Sequence, residues 1–90
     1  MSHTQRETLI EFPCDFPIKI MGERVEGFAE VIVEVVQRHA PEFDAATVAM
    51  RASSKGNYLA LTCTVRARSQ NHLDGIYREL TAHPMVKVVL

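Results

Sequence analysis

Four histidines, two cysteines and ten Lys and Arg residues are the groups through which this 90-residue chain can act chemically. A metal centre needs ligands that cluster in the fold, usually at recognisable spacing. His3, His39, His72 and His83 are scattered, and none stands four residues from another. His39 and His83 read as helix-terminus residues. Cys63 is expected to point into a core, where a thiol is inert. Cys14 lies between Pro13 and Asp15, near a strand start, where it is expected to be accessible; a neighbouring carboxylate raises a thiol pKa and does not activate it. No GxGxxG and no GxxxxGK[ST] is present. The segment Ser53-Ser54-Lys55-Gly56-Asn57 has the composition of an anion-binding nest, but equally that of a hairpin turn. No catalytic residue, metal or cofactor is expected from this inventory.

The remaining constellation is basic. If the chain forms the strands described next, Lys19, Arg51, Arg66 and Lys87 share the parity of one sheet face, with one base on each strand and no acid among them. Such a face is either merely solvated or a docking surface for an acidic partner. Spread over four strands, these bases suit a broad acidic surface better than a single phosphate.

The elements that must carry them follow from hydrophobic period. Phe16, Ile18 and Ile20 alternate with Pro17, Lys19 and Met21, and Gly22 closes the run, which predicts a strand with proline at its first position. From Glu23 to Ala40 the period becomes helical. Phe28, Val31, Ile32, Val35 and Val36 form one stripe, opposite Glu26, Glu30, Glu34 and Arg38. Glu34 and Arg38 stand at an i,i+4 spacing suited to pairing, and Pro41 stops the helix. Val48, Met50 and Ala52 share a face of a second strand. Leu59, Leu61, Cys63, Val65 and Ala67 share a face of a third. If Ser53 faces Tyr58 across a turn in which Gly56 takes positive φ, then Ala52 faces Leu59, Met50 faces Leu61 and Val48 faces Cys63, so all apolar residues land on one side. Ser69 is an N-cap candidate for a second helix carrying Leu73, Ile76, Tyr77 and Leu80, with Asp74 and Arg78 spaced to pair on its polar side. Met85 to Leu90 reads as a last strand with Val86, Val88 and Leu90 facing one way.

The order β-α-β-β-α-β predicts an α+β ferredoxin-like sandwich. Right-handed crossovers place both helices on one face of a four-stranded antiparallel sheet of order 4-1-3-2. Residues 1–11 are expected to be a flexible leading segment and residues 12–90 a single domain. RNA-recognition domains share this topology, and Lys55-Gly56-Asn57-Tyr58-Leu59 begins like their third-strand motif. Asn57 and Leu59 stand where that motif needs stacking aromatics, which argues against nucleic acid. A formal charge of −1 points the same way. The charge is uneven, however: residues 1–45 carry nine acids and four bases, and residues 46–90 six bases and two acids. No apolar stretch approaches the ~20 residues that span a bilayer. The first ten residues lack the apolar core of a secretory signal, so unbridged thiols in a cytoplasm are expected.

The chain also resembles the YbeD-like family of small uncharacterised bacterial proteins. The resemblance runs through Phe12-Pro13, Lys19-Ile20-Met21-Gly22, Val36-Gln37-Arg38-His39-Ala40-Pro41, Ser53-Ser54-Lys55-Gly56-Asn57-Tyr58 and Ile76-Tyr77-Arg78-Glu79-Leu80. It implies the same βαββαβ fold, similar to the amino-acid-sensing ACT domains, and a cytoplasmic location; it transfers no catalytic residue. The expected function is therefore non-enzymatic binding or regulation. It would proceed through a small metabolite or a protein partner, on the open sheet face or the terminal edge strand, with a homodimer as one possible form.

Overall fold

A computed structural model describes residues 11–53 and 55–90. Strand β1 (Cys14–Glu23) leads into helix α1 (Phe28–His39), a 3-10 turn (Ala45–Thr47) and strand β2 (Ala49–Ala52). Strand β3 (Tyr58–Ala67), helix α2 (Gln70–Ala82) and strand β4 (Val86–Val89) complete it. The sheet order is β2-β3-β1-β4, and every pairing is antiparallel, as the crossover rule predicts. The segment expected to lead the chain lies outside the described residues, except for Glu11.

One face of the sheet is the core. Ile18 and Ile20 from β1 and Leu61, Cys63, Val65 and Ala67 from β3 are buried beneath Phe28, Ile32, Val35 and Val36 of α1 and Leu73, Ile76 and Leu80 of α2. Among the described residues no polar or charged side chain is buried. Helix α1 starts at Phe28 instead of Glu23, because Gly27 precedes it at φ 88°, a left-handed turn that a helix cannot run through. Ser69 caps α2, its hydroxyl accepting from the His72 amide at 3.1 Å.

The β2–β3 register is the expected one: Met50 faces Leu61 and Ala52 faces Leu59. Val48 lies just before β2 and does not extend the ladder to Cys63. Parity places Met50 on the helix side, yet it is 61% exposed, because α1 does not reach out over this four-residue edge strand. The turn closes with Ser53 donating to the Tyr58 carbonyl and Gly56 donating to the Ser53 carbonyl, both at 2.9 Å. Gly56 takes φ 75°. Alanine there is strained, and Gly56→Ala is expected to cost about 1 kcal/mol or more, read as a lower urea midpoint with an unchanged m-value.

Two expectations about the strands need correcting. Pro17 is the fourth residue of β1, not the first. Lys19 N–H donates to the Leu90 carbonyl at 3.2 Å, so odd-numbered amides of β1 face β4. Pro17 therefore turns its missing donor to the side on which, among the described residues, β1 has no ladder to break. In β4 the partner of Met21 is Val88 and that of Gly22 is Val86, which leaves Lys87 as the extra residue of a bulge. Val86 and Val89 consequently pack on the core, while Val88 and Leu90 are exposed on the opposite face. Simple alternation through Val86, Val88 and Leu90 is overturned by that one added residue.

Candidate functional site

Among the described residues no element covers the sheet face turned away from the helices. Along β1 it carries Asp15, Pro17, Lys19, Met21 and Glu23, and along β3 it carries Tyr58, Ala60, Thr62, Thr64 and Arg66, each set alternating with core residues. Arg51 projects from β2 on the same side, opposite Ala60.

The face is not free of acids, as parity counted over the bases alone suggested. Arg66 lies across the ladder from Asp15 and holds its carboxylate at 3.2 Å. Lys87 Nζ is 3.6 Å from Glu23 Oε2. Arg66 thus faces Asp15 on the β1 side; on the β2 side the hairpin register, extended, would set Ala45 opposite Arg66, but β2 begins only at Ala49 and Ala45 lies in the 3-10 turn. Of the four basic residues, two are neutralised at opposite ends of the face. Lys19 on the inner strand β1 and Arg51 on the edge strand β2 remain, and among the described residues neither makes an ion pair or a side-chain hydrogen bond. Lys19 is four residues from each acid of β1, about 13 Å along the strand, beyond the roughly 8 Å screening length at physiological salt.

Lys19 and Arg51 flank β3 from either side. Lys19 is opposite Thr62 and Arg51 opposite Ala60, two residues along the same strand face. Their Cα atoms are therefore roughly 12 Å apart, from two strand spacings and a two-residue offset. The small side chains of Ala49, Ala60 and Thr62 leave a depression of about 360 Å³ between them. A second depression of about 190 Å³ shares Lys19, Arg51 and Ala60 and continues toward Met21, Ala52 and Tyr58. Sequence reading found the two bases but not the depressions beside them. Alternation already placed Tyr58, Ala60 and Thr62 outward, and what it lacked was the β1–β3 register that sets them between Lys19 and Arg51.

The hairpin turn offers less. Its Gly56 N–H is spent on the Ser53 carbonyl, and Ser53 Oγ accepts from the Tyr58 amide at 3.2 Å. Lys55 and Asn57 are exposed, and Ser54 lies outside the described residues. Arg24, which sequence reading passed over, approaches Gly56 with its guanidinium and donates its amide to the Asn57 carbonyl at 3.0 Å.

A third polar cluster ties the helices together. Glu79 of α2 binds both Arg38 and His39 at the end of α1, and the His39 Nε2–Glu79 Oε1 contact is 2.7 Å. The hydrogen bond from Arg38, joined by the contact with His39, holds the Glu79 carboxyl below its usual range. Arg38 thus takes a partner 41 residues away in place of an ion pair with Glu34. Asp74 accepts from Gln70 at 3.0 Å and does not bridge to Arg78. The His39 carbonyl receives His72 Nε2–H at 2.7 Å and the Arg68 guanidinium at 3.1 Å, while His72 Nδ1 accepts the Arg68 amide at 3.1 Å. Each ring nitrogen of His72 is thereby committed to a structural bond, so the cluster is a clamp between helix ends.

Nucleophilic chemistry has little support. Both cysteines are free; Cys63 is buried, and burial pushes its thiol up to about 11. Cys14 is half-buried against the edge of the core. Titration of native protein with a disulfide reagent is expected to show one thiol reacting readily and one reacting only on unfolding; two equally fast thiols would contradict the inward parity of Cys63. Among the described residues no three His, Cys, Asp or Glu side chains are grouped to hold a metal ion, and no helix is long and apolar enough to cross a membrane.

Comparison with known proteins gives a consistent picture. The family described as "Protein of unknown function (DUF493)" matches residues 7–90. The chain is 61% identical over 85 residues to a UPF0250 protein of Ralstonia nicotianae, covering 94% of this chain and 88% of that protein. It is 63% identical over 84 residues to one from Paraburkholderia phytofirmans, covering 93% and 94%. A relative from Nitrosomonas europaea is 50% identical over 84 residues, covering 93% and 97%.

Proposed function

The chain belongs to the DUF493 family of proteins of unknown function, in keeping with its resemblance to the small YbeD-like proteins, and on that premise we propose that it is a non-enzymatic binding domain whose open sheet face docks an acidic surface of a protein partner. The observation that carries this reading is the pair Lys19 and Arg51, which among the described residues have no carboxylate partner, on a face where Arg66 and Lys87 are neutralised. Exposed Tyr58, Val88 and Leu90 add apolar area around them. Charge with apolar surface beside it is what steers and then holds a protein partner.

Shape separates this from metabolite sensing. Small-molecule sites bury about 70–90% of their ligand, whereas the two depressions here are open troughs on a sheet. The likeness to ACT domains is one of fold and brings no ligand with it. Edge pairing is also less favoured: β4 is broken by its bulge, and β2 is only four residues long. Two unbridged cysteines support a reducing compartment, and we place the protein in the cytoplasm.

The test is the double substitution Lys19→Ser with Arg51→Ser, with Arg66→Ser as control. Unfolding stability is expected to stay within about 0.5 kcal/mol of wild type. Retention of a native partner at low salt should fall about tenfold or more in the double variant, and the difference should shrink at high salt. Equal retention by wild type and double variant at low salt would mean that the face is only solvated.

A further inference from the structure

The two depressions differ in character although they share Lys19, Arg51 and Ala60. One is completed by Ala49 and by Thr62, whose hydroxyl can donate; the other runs over Met21 and Ala52 to the ring of Tyr58. We infer that together they form one bipartite site for an extended protein segment in which a carboxylate and an apolar side chain stand two residues apart. This inference rests on the docking reading above and names the chemistry of the partner.

Three features fix that chemistry. First, an ammonium from β1 and a guanidinium from β2 line both depressions, in the first over the small residues Ala49, Ala60 and Thr62, a donor set matched to a carboxylate. Second, the acids Asp15 and Glu23, each with its own base, bound the patch at both ends of β1. A continuous polyanion such as a nucleic-acid backbone would run into them, while a single side-chain carboxylate would not. Third, the first depression spans Thr62 and Ala60 of β3 and the second spans Ala60 and Tyr58, so their centres are offset by one outward step along the strand. Outward neighbours on a strand are about 6.6 Å apart, which is also the spacing of residues i and i+2 in an extended partner. A segment lying along β3 therefore sets its acid between Thr62 and Ala60, with Lys19 on one side and Arg51 on the other, and its apolar side chain between Ala60 and Tyr58, against Met21.

The experiment is selection of short random peptides displayed on phage against the immobilised full chain. Parallel selections use Lys19→Ser with Arg51→Ser, and Tyr58→Ser. The expected result is enrichment of Asp or Glu two positions from an apolar residue. Synthetic versions should shift the backbone amide resonances of Tyr58, Ala60 and Thr62, and their affinity should fall about tenfold in the charge variant. Selected peptides without a carboxylate that still need Tyr58 and Arg51 would overturn the bipartite chemistry while leaving the docking face in place. Peptides recovered equally well on wild type and on both variants, or no enrichment at all, would overturn the site itself. Self-association that the charge variant abolishes would give the face to a second copy, and tighter binding of a single-stranded oligonucleotide than of any peptide would give it to nucleic acid; either result overturns the inference.

Discussion

Gly22→Ala is expected to lower the melting temperature of the protein by more than about 10 °C. A Cβ on Gly22 would sit 2.4 Å from the Met85 carbonyl oxygen and 2.6 Å from Cε1 and Cζ of Phe28. Neither neighbour can yield cheaply. The first is backbone at the entry to β4, and the second is a ring that is 0% exposed between helix and sheet. Overpacking of a rigid site costs typically 1–3 kcal/mol and occasionally more; with backbone on one side of the clash, we expect about 3 kcal/mol or more. A domain of this size loses about 4–8 °C of melting temperature per kcal/mol, so the midpoint should fall by more than about 10 °C. A drop of only a degree or two would mean that β4 and Phe28 do not close over Gly22 as described.

Phe28→Ala attacks the same place from the other side. The ring is the largest fully buried side chain, and it lies at the start of α1 where that helix meets β1. Truncation is expected to cost about 3–5 kcal/mol, the lost transfer energy plus the cavity left behind, and to be read as a lower urea midpoint. The two sites touch, so their effects should not add. Phe28→Leu on its own should be milder than Phe28→Ala. Combined with Gly22→Ala it should destabilise by less than the sum of the single changes, because the shorter side chain withdraws the ring tip from the new methyl. The rescue should remain partial, since the Met85 carbonyl is still in the way. Strict additivity of the pair would show that the ring and the glycine are not in contact.

Much of this architecture was legible because strands and helices write different periods into the sequence. The register of β2 on β3 followed from Gly56 and the turn around it, and the sheet order from the handedness of two crossovers. What escaped has local physical causes. In Val86-Lys87-Val88-Val89 apolar residues occur at both parities, so no alternation could reveal that Lys87 is the bulged residue. Arg38 had an acid at helical spacing in Glu34, and only the packing of α1 on α2 could show that Glu79 would take it instead. The open face was half legible. Asp15 and Glu23 share the parity of Lys19, and counting acids as well as bases would have left Lys19 and Arg51 as the bases without an acid beside them. The depressions beside them depend on how β1 sits against β3, a long-range register that no single strand contains.

Pro17 bears on what this sheet avoids as well as what it holds. Among the described residues no strand pairs with the outer rim of β1 at Asp15 and Pro17, and such a rim is ordinarily a template on which another chain can grow. Here the rim offers carbonyls at Asp15 and Pro17 but only the single amide of Asp15. An incoming strand would find an acceptor with no matching donor halfway along and would have to leave one of its own carbonyls without a partner. The stretch is therefore a poor seed for fibrillar stacking, although Phe16 and Ile18 beside it have the composition that such stacking favours.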